Sequence, residues 1–242
     1  MYELEYNVGC SCMGLDGRVK IPAILNFIQD CNFRHLESIP KLMGYFHETN
    51  SGMYVSFREI VINRRPMLNE DIVMRTWGCG MRSMYGNRNT VIYDKDDNIL
   101  VLSSEVGVFV DLSTGRPFRA PEDVADSIPI EEPLTTAYLQ RKVTLPKVNP
   151  VFRDEVLVRK YHCDHYGHMN NAKYEEIAEE YLPDSFDIAR VRMEYKKPAK
   201  RGDIIYVETF EDDEIFMVNL ADKGGNSYAV IEFLGQRKEI EE

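Results

Sequence analysis

No run of eighteen apolar residues occurs anywhere in the 242-residue chain, so no membrane-spanning helix is expected. Positive charge is in deficit. With 29 Lys and Arg against 40 Asp and Glu, the net charge is −11, which argues against nucleic acid as a partner. Cysteine is sparse and odd in number, at five, and Cys10-Ser11-Cys12 has no second pair nearby to complete a zinc knuckle. These two cysteines read as small strand residues. Also missing is a basic then apolar opening segment: Met1-Tyr2-Glu3-Leu4-Glu5-Tyr6 is acidic and alternating, which predicts a strand. The expectation is therefore reduced cysteines and a cytoplasmic protein. Histidine is scarce as well, yet three of the five fall within residues 161–174.

What is present suits a globular core, at 44% hydrophobic and 29% charged. Residues 2–12 alternate as a strand, and Gly14-Leu15-Asp16-Gly17 signals a turn. Ile21, Ile24, Leu25, Ile28, Cys31, Leu36 and Ile39 recur at spacings of three and four, which predicts a long buried helix. Pro22 is tolerated in its first turn, and Pro40 and Gly44 mark its expected end. Residues 54–62, 71–79, 82–93 and 99–111 read as strands. A proline-rich stretch over 118–150 suits a linker better than a core. Residues 152–161 then read as a strand, and a second, shorter helix is expected from Asn170. Its face would hold Tyr174, Ile177, Ala178 and Tyr181, with Glu175, Glu176, Glu179 and Glu180 toward solvent. Strands follow at 188–195, 203–210, 215–221 and 228–237.

The two halves echo each other. Arg64-Arg65-Pro66, Asp71-Ile72-Val73 and Thr76-Trp77 are matched by Lys196-Lys197-Pro198, Asp203-Ile204-Ile205 and Thr209-Phe210. A repeat this long predicts two copies of one helix-plus-sheet unit. We place the first domain at 1–125, a linker at 126–150 and the second domain at 151–242. Gly17-Arg18-Val19-Lys20 aligns with Gly167-His168-Met169-Asn170, so Arg18 stands for His168 and Gly14 for Asp164. The polar constellation exists in one copy only, which favours a function over a folding requirement.

The chemistry of residues 161–174 follows from their types. A helix start offers unpaired N–H groups and about half a positive charge, suited to an oxygen gaining negative charge. The amides from Gly167 to Asn171 stand at such a start, and Gly167 permits close backbone approach. His168 titrates near neutrality and can take a proton from water. Asp164 can orient that water, act as base or attack directly. Asn170 and Asn171 can cap the helix or hold a polar substrate group. Each residue also has a plainer reading: Asp164 as a turn residue, Asn170 as a helix cap, His168 as the partner of a buried acceptor. The even spacing of His162, His165 and His168 also suggests a metal, although three rings on a strand entering a turn need not converge.

The pattern Asp164-x-x-x-His168-x-Asn170-Asn171-x-x-Tyr174 resembles the signature of hot-dog thioesterases. The nearest likeness is to acyl-acyl carrier protein (acyl-ACP) thioesterases of plants and bacteria, and it covers almost the whole chain. In the first half it rests on Phe27-Ile28-Gln29-Asp30, Arg64-Arg65-Pro66, Thr76-Trp77 and Thr114-Gly115-Arg116-Pro117. The resemblance implies an α+β class with a tandem (double) hot-dog fold, each half a long helix wrapped by a curved antiparallel sheet. It implies hydrolysis of acyl-ACP to free fatty acid, with acyl carrier protein and its phosphopantetheine-linked chain as partner. No cofactor and no metal are implied. By position, Asp164 and His168 are the implied catalytic residues, and Tyr166, Gly167, Asn170 and Asn171 the substrate-binding ones. Two departures stand out. Plant members carry a catalytic Asn where this chain has Tyr166, and a Glu-Cys pair where it has Pro198-Ala199. Tyr-Gly before the His is familiar in simpler hot-dog thioesterases, where the upstream Asp leads, which favours Asp164.

The acyl chain is expected in an apolar space lined partly by the first helix, with Trp77, Met43 and Met53 as candidates against plain core. The basic clusters at Arg64-Arg65 and residues 196–201 suit a phosphate or an acidic carrier protein, or are solvated strand ends. Rival readings are an acyl-CoA thioesterase on the same fold and a non-catalytic acyl-binding hot-dog protein. Tandem units mimic a simple hot-dog dimer, so a monomer and a homodimer are both compatible with the pattern.

Overall fold

A computed structural model describes residues 1–134, 141–212 and 214–237. The chain divides into two compact units, Met1–Tyr138 and Leu139–Glu242. Among the described residues no helix is long and apolar enough to cross a membrane.

In the first unit, β1 (Tyr2–Asn7) leads through a 3₁₀ turn (Cys10–Cys12) to α1 (Ile21–Glu37) and α2 (Pro40–Thr49). Strands β2 (Ser51–Ile62), β3 (Asp71–Arg82), β4 (Tyr85–Asp94) and β5 (Ile99–Asp111) follow, then a short α3 (Glu122–Ala125). The strands pair antiparallel in the order β1-β3-β4-β5-β2. Register breaks at Val55/Phe57 and Gly78/Gly80 mark bulges, which bend a sheet. The α1 stripe reads as expected: Ile21, Ile24, Leu25 and Ile28 are each fully buried, contributing about 1.5–3 kcal/mol apiece.

Several expectations are corrected. The first strand stops at Asn7 and Cys10–Cys12 form a 3₁₀ turn, because Cys12 N–H bonds back to Gly9 and Met13 N–H to Cys10. Strand 152–161 likewise becomes β6 (Val151–Leu157) and a 3₁₀ turn (Lys160–His162). Pro40 closes the long helix as read, with α1 ending at Glu37, but it also opens a second helix that was not expected. It pushes Ile39 out of the helical range (φ −110°, ψ 89°) and then occupies the first position of α2, where its missing N–H costs nothing. Leu42 of α2 joins Ile39, Phe109, Ala120, Val124 and Ile128 in a core cluster, and Met53 packs there too.

The first part of the proline-rich stretch folds onto β3. Ile128 is buried, Glu131 N–H bonds the Gly78 carbonyl at 2.8 Å, and Trp77 Nε1 donates to the Glu132 carbonyl at 2.9 Å. Gly78 is needed for this approach, since a Cβ there would stand 3.0 Å from the Pro129 carbonyl. Part of the stretch, residues 135–140, lies outside the described residues.

The second unit repeats the plan. After β6 and its 3₁₀ turn come α4 (Asn171–Glu179), β7 (Phe186–Tyr195), β8 (Ile204–Glu211), β9 (Ile215–Ala221) and β10 (Ser227–Arg237). They pair antiparallel in the order β7-β10-β9-β8-β6. One helix position departs from expectation: Glu175, read as facing solvent, is fully buried.

Beneath α1 lies a polar network that periodicity does not reveal. Arg58 donates to Glu105 at 3.0 and 2.7 Å, and Asn32 Nδ2 bonds the other Glu105 oxygen at 2.8 Å. Thr76 and Thr90 donate to Asn32 Oδ1 at 2.7 and 2.8 Å. Arg88 donates to Thr76 Oγ1 at 3.1 Å and to His35 Nδ1 at 2.7 Å. Burial, with the Arg88 charge, pushes the His35 pKa down to about 4. Removing one partner of such a buried pair strands the others. Glu105→Leu should therefore lower unfolding stability by about 3–5 kcal/mol, as measured by urea denaturation of the full chain.

Candidate active site

The motif is built as a hairpin tip that feeds a helix. Cys163 and Met169 face each other in an antiparallel bridge, which leaves 164–168 as the tip. Asp164 N–H donates to the His168 carbonyl at 2.8 Å, and Gly167 N–H to the Asp164 carbonyl at 3.0 Å. Gly167 takes φ +77°, a left-handed conformation that glycine adopts without strain. Asp164 Oδ1 accepts from the N–H of Tyr166 at 2.9 Å and of His168 at 3.3 Å. Among the described residues no group bonds Asp164 Oδ2.

The chain then enters α4. Met169 N–H donates to the Ala199 carbonyl at 2.8 Å, and Asn170 N–H to the His162 carbonyl at 2.9 Å. Asn170 caps the helix: its Oδ1 accepts from Ala172 N–H at 2.9 Å, and its carbonyl accepts from Lys173 N–H at 2.9 Å. Of the seven amides from Gly167 to Lys173, six are thus taken. Among the described groups, none accepts from Asn171 N–H. The broad array of donors expected from Gly167 to Asn171 reduces to this one, at the first residue of α4.

The same frame stands in the first unit, bond for bond. Gly14 N–H donates to the Arg18 carbonyl at 2.7 Å, Gly17 N–H to Gly14, Val19 N–H to Pro66 and Lys20 N–H to Cys12. There the side chain that accepts within the turn is Asp16, from Arg18 N–H at 3.1 Å. Asp164 therefore does for its turn what Asp16 does for the twin, and has Oδ2 to spare.

His168 is half-buried. Burial, then the Lys200 charge, lowers its pKa from the ordinary 6.5, with Asp164 opposing. Its strand neighbour is Lys200, by an antiparallel bridge. Tyr166 lies exposed at the tip with its ring 3.9 Å from that of His165. His162 turns inward, 8% exposed, and its Nδ1 accepts from Arg159 N–H at 3.1 Å. The three rings thus have different surroundings. Among the described residues, no three His, Cys, Asp or Glu side chains are grouped to hold a metal ion. Pro198-Ala199 adjoins the motif, with Ala199 N–H donating to the Tyr174 hydroxyl at 2.8 Å. That anchor was not legible in the sequence beyond Tyr174 itself.

The two halves match two family models. Residues 1–128 match the acyl-ACP thioesterase N-terminal domain, and residues 147–233 the acyl-ACP thioesterase C-terminal domain. Among solved structures, the fold is similar to an acyl-ACP thioesterase from Bacteroides thetaiotaomicron, at TM-score 0.85 and 18% identity over 96% of each chain. It is also similar to the 12:0-ACP thioesterase from Umbellularia californica, at TM-score 0.87 and 17% identity, covering 98% of this chain and 97% of that one. No curated protein sequence matches.

Tyr174 and Ala199 are both almost fully buried, so the amide has no water to fall back on. Tyr174→Phe should cost about 1–3 kcal/mol, read as a lower denaturation midpoint with an unchanged slope.

Proposed function

The chain belongs to the acyl-ACP thioesterase family and hydrolyses acyl-ACP to free fatty acid and carrier protein, and we propose that Asp164, His168 and the Asn171 amide carry the reaction. The thioester carbonyl oxygen docks on Asn171 N–H at the start of α4, where the helix dipole favours a developing negative charge. A water held by Asp164 Oδ2 and His168 attacks the carbonyl carbon. One proton passes to the base, the tetrahedral intermediate collapses, and the pantetheine thiol leaves with a proton returned to sulfur. The observation that carries this reading is the allocation of bonds in the turn. Asp164 keeps one oxygen outside the turn, and α4 keeps one amide outside the helix and its cap.

Tyr166 and Gly167 shape the exposed rim of the docking position, and Asn170 holds the helix start in place. Carrier recognition falls to Lys200 and Arg201, both exposed on the segment beside His168. Among the described residues neither ammonium nor guanidinium has a carboxylate partner. The other candidate cations are spent within the protein. Arg64 pairs with Glu70, Arg65 with Asp16, and Lys197 with Asp222 while lying 4.3 Å over the Tyr228 ring. Lys200 and Arg201, next to the motif, suit the acidic surface of the carrier protein as it delivers the thioester.

Two measurements test these roles. Asp164→Asn keeps an oxygen for the turn amides but removes the base, so kcat on acyl-ACP should fall by about 10²- to 10⁴-fold with the fold intact. Activity within about tenfold of the parent, about 1.4 kcal/mol in barrier, would remove Asp164 from the reaction. For His168, burial and Lys200 favour the neutral ring. The acid limb of kcat/KM should therefore have its midpoint below pH 6.5, with activity lost only as pH falls through it. Lys200→Gln, which removes a nearby positive charge, should move that midpoint upward. A limb that does not respond would assign it to another group.

A further inference from the structure

One carboxyl group of α4 has no part in this hydrolysis. Glu175 is 0% exposed, and neither of its side-chain oxygens has a hydrogen-bond partner. Burial first, then the nearby Glu179 and Glu176, raises its pKa well above the ordinary carboxylate range. The group is then a neutral acid, able to donate one hydrogen bond and accept others.

The first unit shows that the fold does not need a carboxyl there. With Gly17 set against Gly167, Glu175 falls on Leu25, which is also 0% exposed. The flanking positions differ in size too. Ala172 and Ala178, both buried, stand where α1 has Pro22 and Ile28. The inner face of α4 therefore carries one unsatisfied polar group where its twin has Leu25, among neighbours of which two are smaller than their counterparts and one, Tyr174 for Ile24, is larger. Buried polar groups without partners are rare and costly, and a ligand atom is one way to complete them.

Position supplies the rest. Glu175 follows Asn171 by four residues, so the two share a helix face about 6 Å apart along the axis. Side chains on a helix lean toward its N-terminus, which brings the carboxyl back toward the Asn171 amide. We propose that Glu175 is a specificity-determining residue that hydrogen-bonds an oxygen on the acyl chain, a hydroxyl or an oxo group within a few carbons of the thioester. The preferred substrates are then hydroxyacyl or oxoacyl thioesters of the carrier protein, ahead of plain saturated ones. A hydroxyl donates to the acid's carbonyl oxygen, and an oxo group accepts from its O–H. This inference rests on docking the thioester carbonyl at Asn171.

The test compares kcat/KM of the full chain on a saturated acyl-ACP and on its 3-hydroxy and 3-oxo counterparts of equal length. The parent should favour at least one oxygenated chain by about tenfold or more. Glu175→Leu should lose that preference, gaining on the saturated chain and falling on the oxygenated ones, with a higher Tm because an unpaired buried acid is gone. Glu175→Gln, which can still donate and accept, should keep the preference. Equal rates in the parent on all three chains, or an undiminished preference in Glu175→Leu, would overturn the proposal while leaving the hydrolytic reading in place. Should Glu175→Leu not fold, Glu175→Met replaces it, and the parent's preference is decisive alone. If the parent hydrolyses none of the three, the docking reading fails and this inference with it.

Discussion

The chain has to satisfy its backbone amides where a hairpin tip runs into a helix, and the rest of the candidate site depends on how it does so. Unpaired amides in a protein are expensive away from water, so nearly all find acceptors. Between Gly167 and Lys173 the acceptors come from three directions: the turn's own carbonyls and the Asp164 carboxylate, the neighbouring segment at Ala199, and the preceding 3₁₀ turn at His162. The Asn170 side chain and carbonyl account for two more. Only the first helical amide is passed over, as helix geometry dictates, since an N–H at that position has no carbonyl four residues back within the helix. Catalytic potential here comes from an otherwise complete set of bonds.

The duplicated architecture separates scaffold from chemistry inside a single chain. Both units spend the same backbone bonds at the same places, with Met169 on Ala199 matched by Val19 on Pro66, and Asn170 on His162 by Lys20 on Cys12. Both sheets also set an Arg directly opposite a Glu, Arg58 against Glu105 and Arg192 against Glu232, each pair buried. Within this turn and helix start, what differs is confined to side chains. Gly14, Asp16 and Arg18 of one turn become Asp164, Tyr166 and His168 of the other, and Leu25 becomes Glu175. The first unit shows that the turn folds with an Asp in the middle position. Moving the carboxylate two residues earlier retains the turn contact to the amide of residue 168 and adds one to that of residue 166. It also brings the carboxylate into the electrostatic range of the histidine.

Much of this was legible in the sequence, for identifiable reasons. The α1 stripe and the strand alternation are periodic signals that burial enforces, and the motif's residues are rare enough in this chain to stand out. The 3₁₀ turns at Cys10–Cys12 and Lys160–His162 were not, because three residues are too few to show a period. Pro40 marked the end of α1 but hid the start of α2, because the same residue stops one helix and starts the next. Glu175 misled because amphipathic reading assigns every acid to solvent, and burial of this one is a tertiary fact. The Arg58, Glu105 and Arg88 network depends on cross-strand register and on a helix above the sheet, neither of which a linear pattern contains.

Electrostatics links the site to its substrate at two scales. The chain's net charge of −11 repels an acidic carrier protein at a distance, yet at physiological ionic strength charges are screened within about 8 Å. Over that range the local arrangement decides. Beside the motif, Lys200 and Arg201 are exposed, while Lys197 is neutralised by Asp222, so the cations left for an acidic partner are those nearest His168. Lys200 also lowers the pKa of His168, so in the proposed reading one side chain would both meet the carrier and keep the imidazole neutral.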